Sequence, residues 1–172
     1  MEIINPTAEY EQSYIEYIKE LGREERYPYP LDLDHTHFTS FVDLLNDYSK
    51  GINLPKHMVP NTTFWLVDGS NILGCSHLRH CLNEQLLYAG GHIGLGIRPS
   101  ARGQGLSTLL LTKTLQKAFE LNITTAHIHC YENNVKSQKM ILSVGGVLDS
   151  FALTEQEQTR VLRYIVNNDS FE

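Results

Sequence analysis

The sequence predicts an α+β fold in one domain, a sheet with helices on its faces, and three observations predict it. Apolar residues recur at three- and four-residue intervals through much of the first fifty positions. From Thr62 the period drops to two, with turn residues between short apolar runs. Beyond Gly90, strand-like and helix-like stretches take turns, giving the order ααββ(β)αβαββ and a sheet that is mixed rather than fully parallel. At 172 residues, 41% of them apolar, the chain suits a single domain over positions 1–172 with a core of its own.

Each element has its own warrant. A first helix is predicted from Thr7 to Leu21, with Thr7 as cap, Tyr10, Tyr14, Ile15, Ile18 and Leu21 on one face, and Gly22 closing it. The stretch GREERYPYPLDLDH contains two X-Pro steps and is irregular. A second helix runs from about His37 to Ser49, with Phe38, Phe41, Val42, Leu44, Leu45 and Tyr48 on its buried side. TTFWLVDG and NILGCSHLRHCLN form a strand pair around a Gly-Ser turn, and HIGLGIR is a third strand. Leu106 to Leu121 is a leucine-rich helix, TTAHIHCY an alternating strand, and Val135 to Val144 a helix stopped by Gly145-Gly146. GVLDSFAL and TRVLRYIV close the chain as a hairpin turning around Thr154 to Gln158.

Composition narrows the function. A formal charge of −6, with no Lys/Arg run, argues against a nucleic-acid partner. No apolar run nears the roughly 20 residues of a membrane span, and the N-terminus lacks a secretory pattern. Three cysteines without a CxxC pair suggest free thiols in a reduced, cytoplasmic setting. The pair His127-x-His129, with His77 and His80 nearby, has no carboxylate or cysteine at ligand spacing, so no metal is expected.

The stretch GGHIGLGIRPSARGQGLSTLLL, from Gly90 to Leu111, puts six glycines into its first sixteen residues. It fails two nucleotide motifs: from Gly94 the dinucleotide pattern meets a proline, and no Gly-Lys pair exists for a P-loop. A third pattern fits. Arg102, Gly105 and Ser107 stand as R-x-x-G-x-S between a strand and a helix, where a tight turn, unpaired N–H groups and a helix dipole favour a pyrophosphate.

IRPSARGQGLSTLLL resembles motif A of the GNAT superfamily of N-acetyltransferases, through Ile97, Pro99, Arg102, Gly103, Gly105, Leu109 and Leu110; Ser107 replaces the usual small Gly or Ala. NNVKSQKMILSVGG is similar to the superfamily's second motif, with Asn134, Ser137 and Gly145 in register. The resemblance implies a mostly antiparallel sheet of about six or seven strands with about four helices, and a bulged strand splaying from its neighbour at the cofactor site. It implies acetyl-CoA as co-substrate and no metal. The cofactor would be held by the strand backbone at Leu95, Gly96 and Ile97, by Arg102, Gly103, Gln104, Gly105, Leu106 and Ser107 in the turn, and by Asn134 and Ser137.

The implied reaction, attack of a neutral amine on a thioester, needs a base and an acid. The superfamily's usual tyrosine acid falls here at Ile141, so Ser137 and Tyr131 are the substitutes, although Tyr131 also reads as a packed core residue. His92, at the start of the third strand, is the candidate base, with Glu84 and Tyr88 in reserve. The loop with Glu24, Glu25, Tyr27, Tyr29, Asp32 and Asp34 would grip the acceptor. A small-molecule amine, a peptide amine and a non-catalytic acyl-CoA-binding role all stay open, as does a homodimer.

Overall fold

A computed structural model describes residues 1–154 and 159–171. Its strands are β1 (Glu2–Ile4), β2 (Asn61–Asp68), β3 (Asn71–Arg79), β4 (Ile93–Ile97), β5 (Thr125–Tyr131), β6 (Val147–Leu153) and β7 (Arg160–Asn167). The helices are α1 (Glu11–Leu21), α2 (Phe38–Ser49), α3 (Leu106–Glu120) and α4 (Val135–Ser143). One predicted boundary moves by a turn. The first helix begins at Glu11 after a 3₁₀ turn, and Thr7 makes no side-chain cap bond. The short β1 was not expected. Part of the predicted hairpin turn, residues 155–158, lies outside the described residues.

The strands form two sheets, ordered β1-β2-β3-β4 and β5-β7-β6, and every ladder is antiparallel. The β4–α3–β5 crossover is the connection that would set two neighbouring strands parallel, and there the ladder is missing. β4 and β5 are tied at one end only, where the N–H of His92 donates to the His127 carbonyl (2.7 Å). The splay is therefore present, but the bulge expected in β4 is not. Its register against β3 runs unbroken from Gly74↔Ile97 to Leu78↔Ile93. The irregularities fall between Leu66 and Val67 and between Leu148 and Ser150, so the opening comes from divergence of two sheets rather than from an extra residue.

Each face of the first sheet has its own core. α1 and α2 bury Tyr14, Tyr17, Phe38 and Phe41 against Trp65 and Cys75. On the other face α3 inserts Leu111 and Leu115 between Leu78 and Ile93 of the first sheet and Ala126, Ile128 and Tyr164 of the second. Side chains alternate along β3 and β4, so Leu78 and Ile93 face α3 while His77, Arg79, Gly94 and Gly96 face the loop after α1. No helix among the described residues is long and apolar enough to cross a membrane.

Candidate active site

The turn from Arg102 to Ser107 is shaped by two glycines. Gly103 and Gly105 have φ of +78° and +74°, a region that side chains rarely adopt, and no atom crowds either position. Gly105 is the N-cap of α3. Because the turn is left-handed there, the N–H groups of Gly103 through Thr108 find no acceptor among the described residues. Six donors thus converge on one end of a cleft of about 690 Å³, lined by Leu95, Gly96, Ile97, Gly103, Ser107 and Ser137 among others. Those donors and that turn fit the pyrophosphate of a coenzyme A.

The edge of β4 supplies the second half of that cleft. The N–H of Arg79 donates to His92 and that of Arg98 to Leu73. The residues of β4 bonded to β3 therefore carry even numbers, and Leu95 and Ile97 turn their N–H and C=O groups toward the open edge. Arg102 uses part of that edge. Its Nε donates to the Ile97 carbonyl (3.1 Å), and its two terminal nitrogens grip the Glu24 carboxylate (3.2 and 2.7 Å). The fork expected to meet a phosphate is thus closed on the loop after α1, and that hydrogen-bonded guanidinium holds the Glu24 carboxyl below its ordinary range.

Gly94 and Gly96 make room for the loop after α1. A side chain at Gly94 would run into the Tyr27 hydroxyl, and one at Gly96 into the Tyr27 carbonyl oxygen. Their bare faces let the Tyr27–Pro28 step lie flat on β4. Burial pushes the Tyr27 phenol up.

A second cavity of about 700 Å³ opens on the opposite side of the splay, lined by Glu24, Glu25, Tyr27, Arg79, His129 and Tyr131 among others. Ser137 lines this cavity and the first one. It sits in the first turn of α4, where the Oδ1 of Asn134 accepts its N–H (3.1 Å). The two spaces therefore meet at Ser137.

The expected residues divide between site and scaffold. Tyr131 is 45% exposed and faces the second cavity, so the packed-core reading does not hold. His92 lines neither space. It is 7% exposed, its Nδ1 accepts the His127 N–H (3.0 Å), and burial, with His127 and Arg79 adding to it, pushes its imidazole down to about 4. These contacts make His92 the pin between the two sheets, a correction to its expected place at the reacting end. Ile141 is 1% exposed in the core beneath α4. The Tyr88 hydroxyl donates to the Leu153 carbonyl, and Glu84 lines a separate surface hollow. Asp34 is spent on the N–H and hydroxyl of Thr36 (2.9 and 2.6 Å), and Tyr29 lies beside His77.

His129 and Arg98 were not singled out from the sequence as residues of the site or its frame. Both ring nitrogens of His129 are buried without a partner among the described residues, and its ring lines the second cavity. Burial, then nearby His127, pushes it down to about 4. The strand alternation placed His129 on the same face as Tyr131, which was the available signal. Arg98 is 8% exposed and ties the end of β4 to Glu20 (2.7 Å) and Glu16 (3.4 Å) of α1. No group of three or more His, Cys, Asp or Glu among the described residues is arranged to hold a metal ion.

A splayed sheet beside a donor-rich turn, meeting a second cavity at one serine, defines a two-substrate transferase fold. Residues 13–145 match the family model described as Acetyltransferase (GNAT) family, and the chain belongs to that family of acetyltransferases. No curated protein matches it in sequence. Among solved structures it is similar to a chimera of spermidine N-acetyltransferase SpeG from Vibrio cholerae with hSSAT, at 18% identity, TM-score 0.65 and 99% coverage of both chains. It is also similar to ribosomal-protein-S5-alanine acetyltransferase from Vibrio fischeri, at 14% identity and TM-score 0.71, covering 99% of this chain and 94% of that one. A third likeness is to yncA, a putative acetyltransferase from Salmonella typhimurium with its cofactor acetyl-CoA, at 10% identity and TM-score 0.64, covering 96% and 92%.

Proposed function

We propose that this enzyme transfers the acetyl group of acetyl-CoA to a primary amine of a small molecule, both substrates being bound together. The observation that carries this reading is the meeting of the two cavities at Ser137, one lined by free backbone donors and the other by carboxylates and an unspent imidazole. Of the similar structures, one is a spermidine N-acetyltransferase chimera and another a ribosomal-protein-S5-alanine acetyltransferase. An acceptor space of about 700 Å³ favours the small molecule, since small-ligand sites span roughly 300–1,000 Å³.

Bound acetyl-CoA supplies an activated acetyl thioester. The N–H groups of Gly103, Gln104, Gly105, Leu106 and Ser107 hold its pyrophosphate, and the open edge at Leu95 and Ile97 receives its amide-bearing arm as an added strand. Glu24 and Glu25 draw the amine in as an ammonium. The ammonium first releases one proton to solvent, which frees the lone pair for attack; His129, neutral at physiological pH, then takes the second proton from the nitrogen, whose new positive charge makes it acidic enough for a weak base. Tyr131 and Ser137 are the hydroxyls placed to protonate the departing sulfur, in the role that Ile141 cannot fill. Asn134 holds the turn that carries Ser137.

Thiol release over a panel of amines tests this. Turnover above the rate of hydrolysis is expected with at least one small amine. His129→Gln should lower kcat/KM by about a hundredfold or more with CoA affinity kept, the low end for a positioned base. CoA binding without thiol release for any amine would make the chain a binding module instead.

A further inference from the structure

Arg79 stands apart from the arginines that pair with glutamates. Arg98, Arg102 and Arg160 each meet a glutamate carboxylate. Arg79, half-buried at the end of β3, forms no ion pair among the described residues. Its only acceptors are the carbonyls of Gly90 and Gly91, both reached from one terminal nitrogen (3.4 and 3.1 Å). The rest of the guanidinium borders the acceptor cavity and a further cavity of about 320 Å³, lined also by Tyr29, Met58, Val59, Asn61 and His77. His77, two residues earlier on the same strand face, is 2% exposed, and neither of its ring nitrogens has a partner among the described residues.

A neutral imidazole carries one N–H donor, and a guanidinium carries five. The His77 ring N–H has no acceptor among the described residues, and only one terminal nitrogen of Arg79 has any, so donors stand buried and unmatched there at a cost in free energy. The cations nearby push the same way: burial comes first, then Arg79 and His80, in pressing the His77 ring toward its neutral form. Across the shared boundary the charge is reversed, because Glu24 and Glu25 line the acceptor cavity. The combined space is negative at one end and positive at the other.

We propose that the acceptor is an amino acid-like amine whose carboxylate seats against Arg79 and the N–H of His77. This rests on the acetyl-transfer reading and deepens it. The planar fork of Arg79 suits the two carboxylate oxygens, and the amine end then points along the cavity toward Ser137.

The test compares amines that differ only by the carboxylate, 5-aminopentanoate with pentylamine and methionine with 3-methylthiopropylamine, by thiol release. The carboxylated member of at least one pair should be favoured in kcat/KM by about ten- to a hundredfold, the scale of hydrogen bonds to a charged group. In Arg79→Met that preference should collapse to near unity, and Arg79→Lys should keep part of it. Independently of turnover, 5-aminopentanoate should shift the ring resonances of His77 in the NMR spectrum while pentylamine does not. Transfer without a carboxylate preference and without a ring shift would overturn the seat while leaving acetyl transfer standing. A ring shift abolished by Arg79→Met, in a protein that acetylates none of the amines, would keep the seat and refute the transfer. If Arg79→Met fails to fold, the wild-type preference and the ring shift decide the matter alone.

Discussion

His92 shows how one residue can look catalytic in a sequence and be structural in a fold. Its position at the start of β4 was legible; the donor to its ring was not, because His127 lies 35 positions away. Burial of the ring, with His127 and Arg79 adding to it, predicts a pH dependence. The fold holds His92 at about 4, below its ordinary 6.5. As pH falls below 6.5 the unfolded chain takes up a proton that the folded one refuses. Stability is therefore full above 6.5 and lost toward about 4, amounting to about 2 kcal/mol at pH 5 for this residue. His92→Asn keeps an oxygen to accept the His127 N–H and cannot titrate. Urea unfolding at pH 7 and pH 5 should show the variant losing about 2 kcal/mol less than wild type. Equal losses would contradict the assignment of His92 as the neutral pin. His77 and His129 are pushed down in the same direction, so the wild-type loss as a whole should exceed the His92 share.

At the scale of elements, the turn before α3 was the most legible part of the site. Its glycines, arginine and following leucines are local, and local pattern fixes local geometry. The loop after α1 was legible only as irregular chain. What it touches depends on packing across the molecule: Tyr27 on Gly94 and Gly96, Glu24 on Arg102. The Glu24–Arg102 pair links the two substrate sites, because a phosphate entering the turn competes with Glu24 for the same fork. Both side chains are about half exposed, so solvent screens the pair. Glu24→Ala should tighten CoA binding by no more than about fivefold, less at high salt. Calorimetry at two salt concentrations reads this out. Weaker binding in the variant would show that Glu24 supports the donor site instead of opposing it.

Over the whole molecule, the order of elements from α1 to β7 was readable because each carries its own period and its own stop. β1 escaped notice because three residues, Glu2 to Ile4, carry too little pattern; pairing with Val67, Leu66 and Trp65 makes it a strand. The division into two sheets was not expected; the family resemblance implied one sheet with a splayed strand, and a missing ladder leaves no local mark. That missing ladder leaves the edge of β4 open, and Ser137 lines both cavities. The central claim is that the donor lies on the bare backbone of the turn from Gly103 to Ser107, and calorimetric titration of CoA into wild type and Gly105→Glu tests it most directly. The substitution puts a side chain and a negative charge where a pyrophosphate would lie, at a φ of +74° that a glutamate rarely adopts. The account predicts binding by wild type and none by a folded Gly105→Glu protein; unchanged CoA affinity in that folded variant would contradict it.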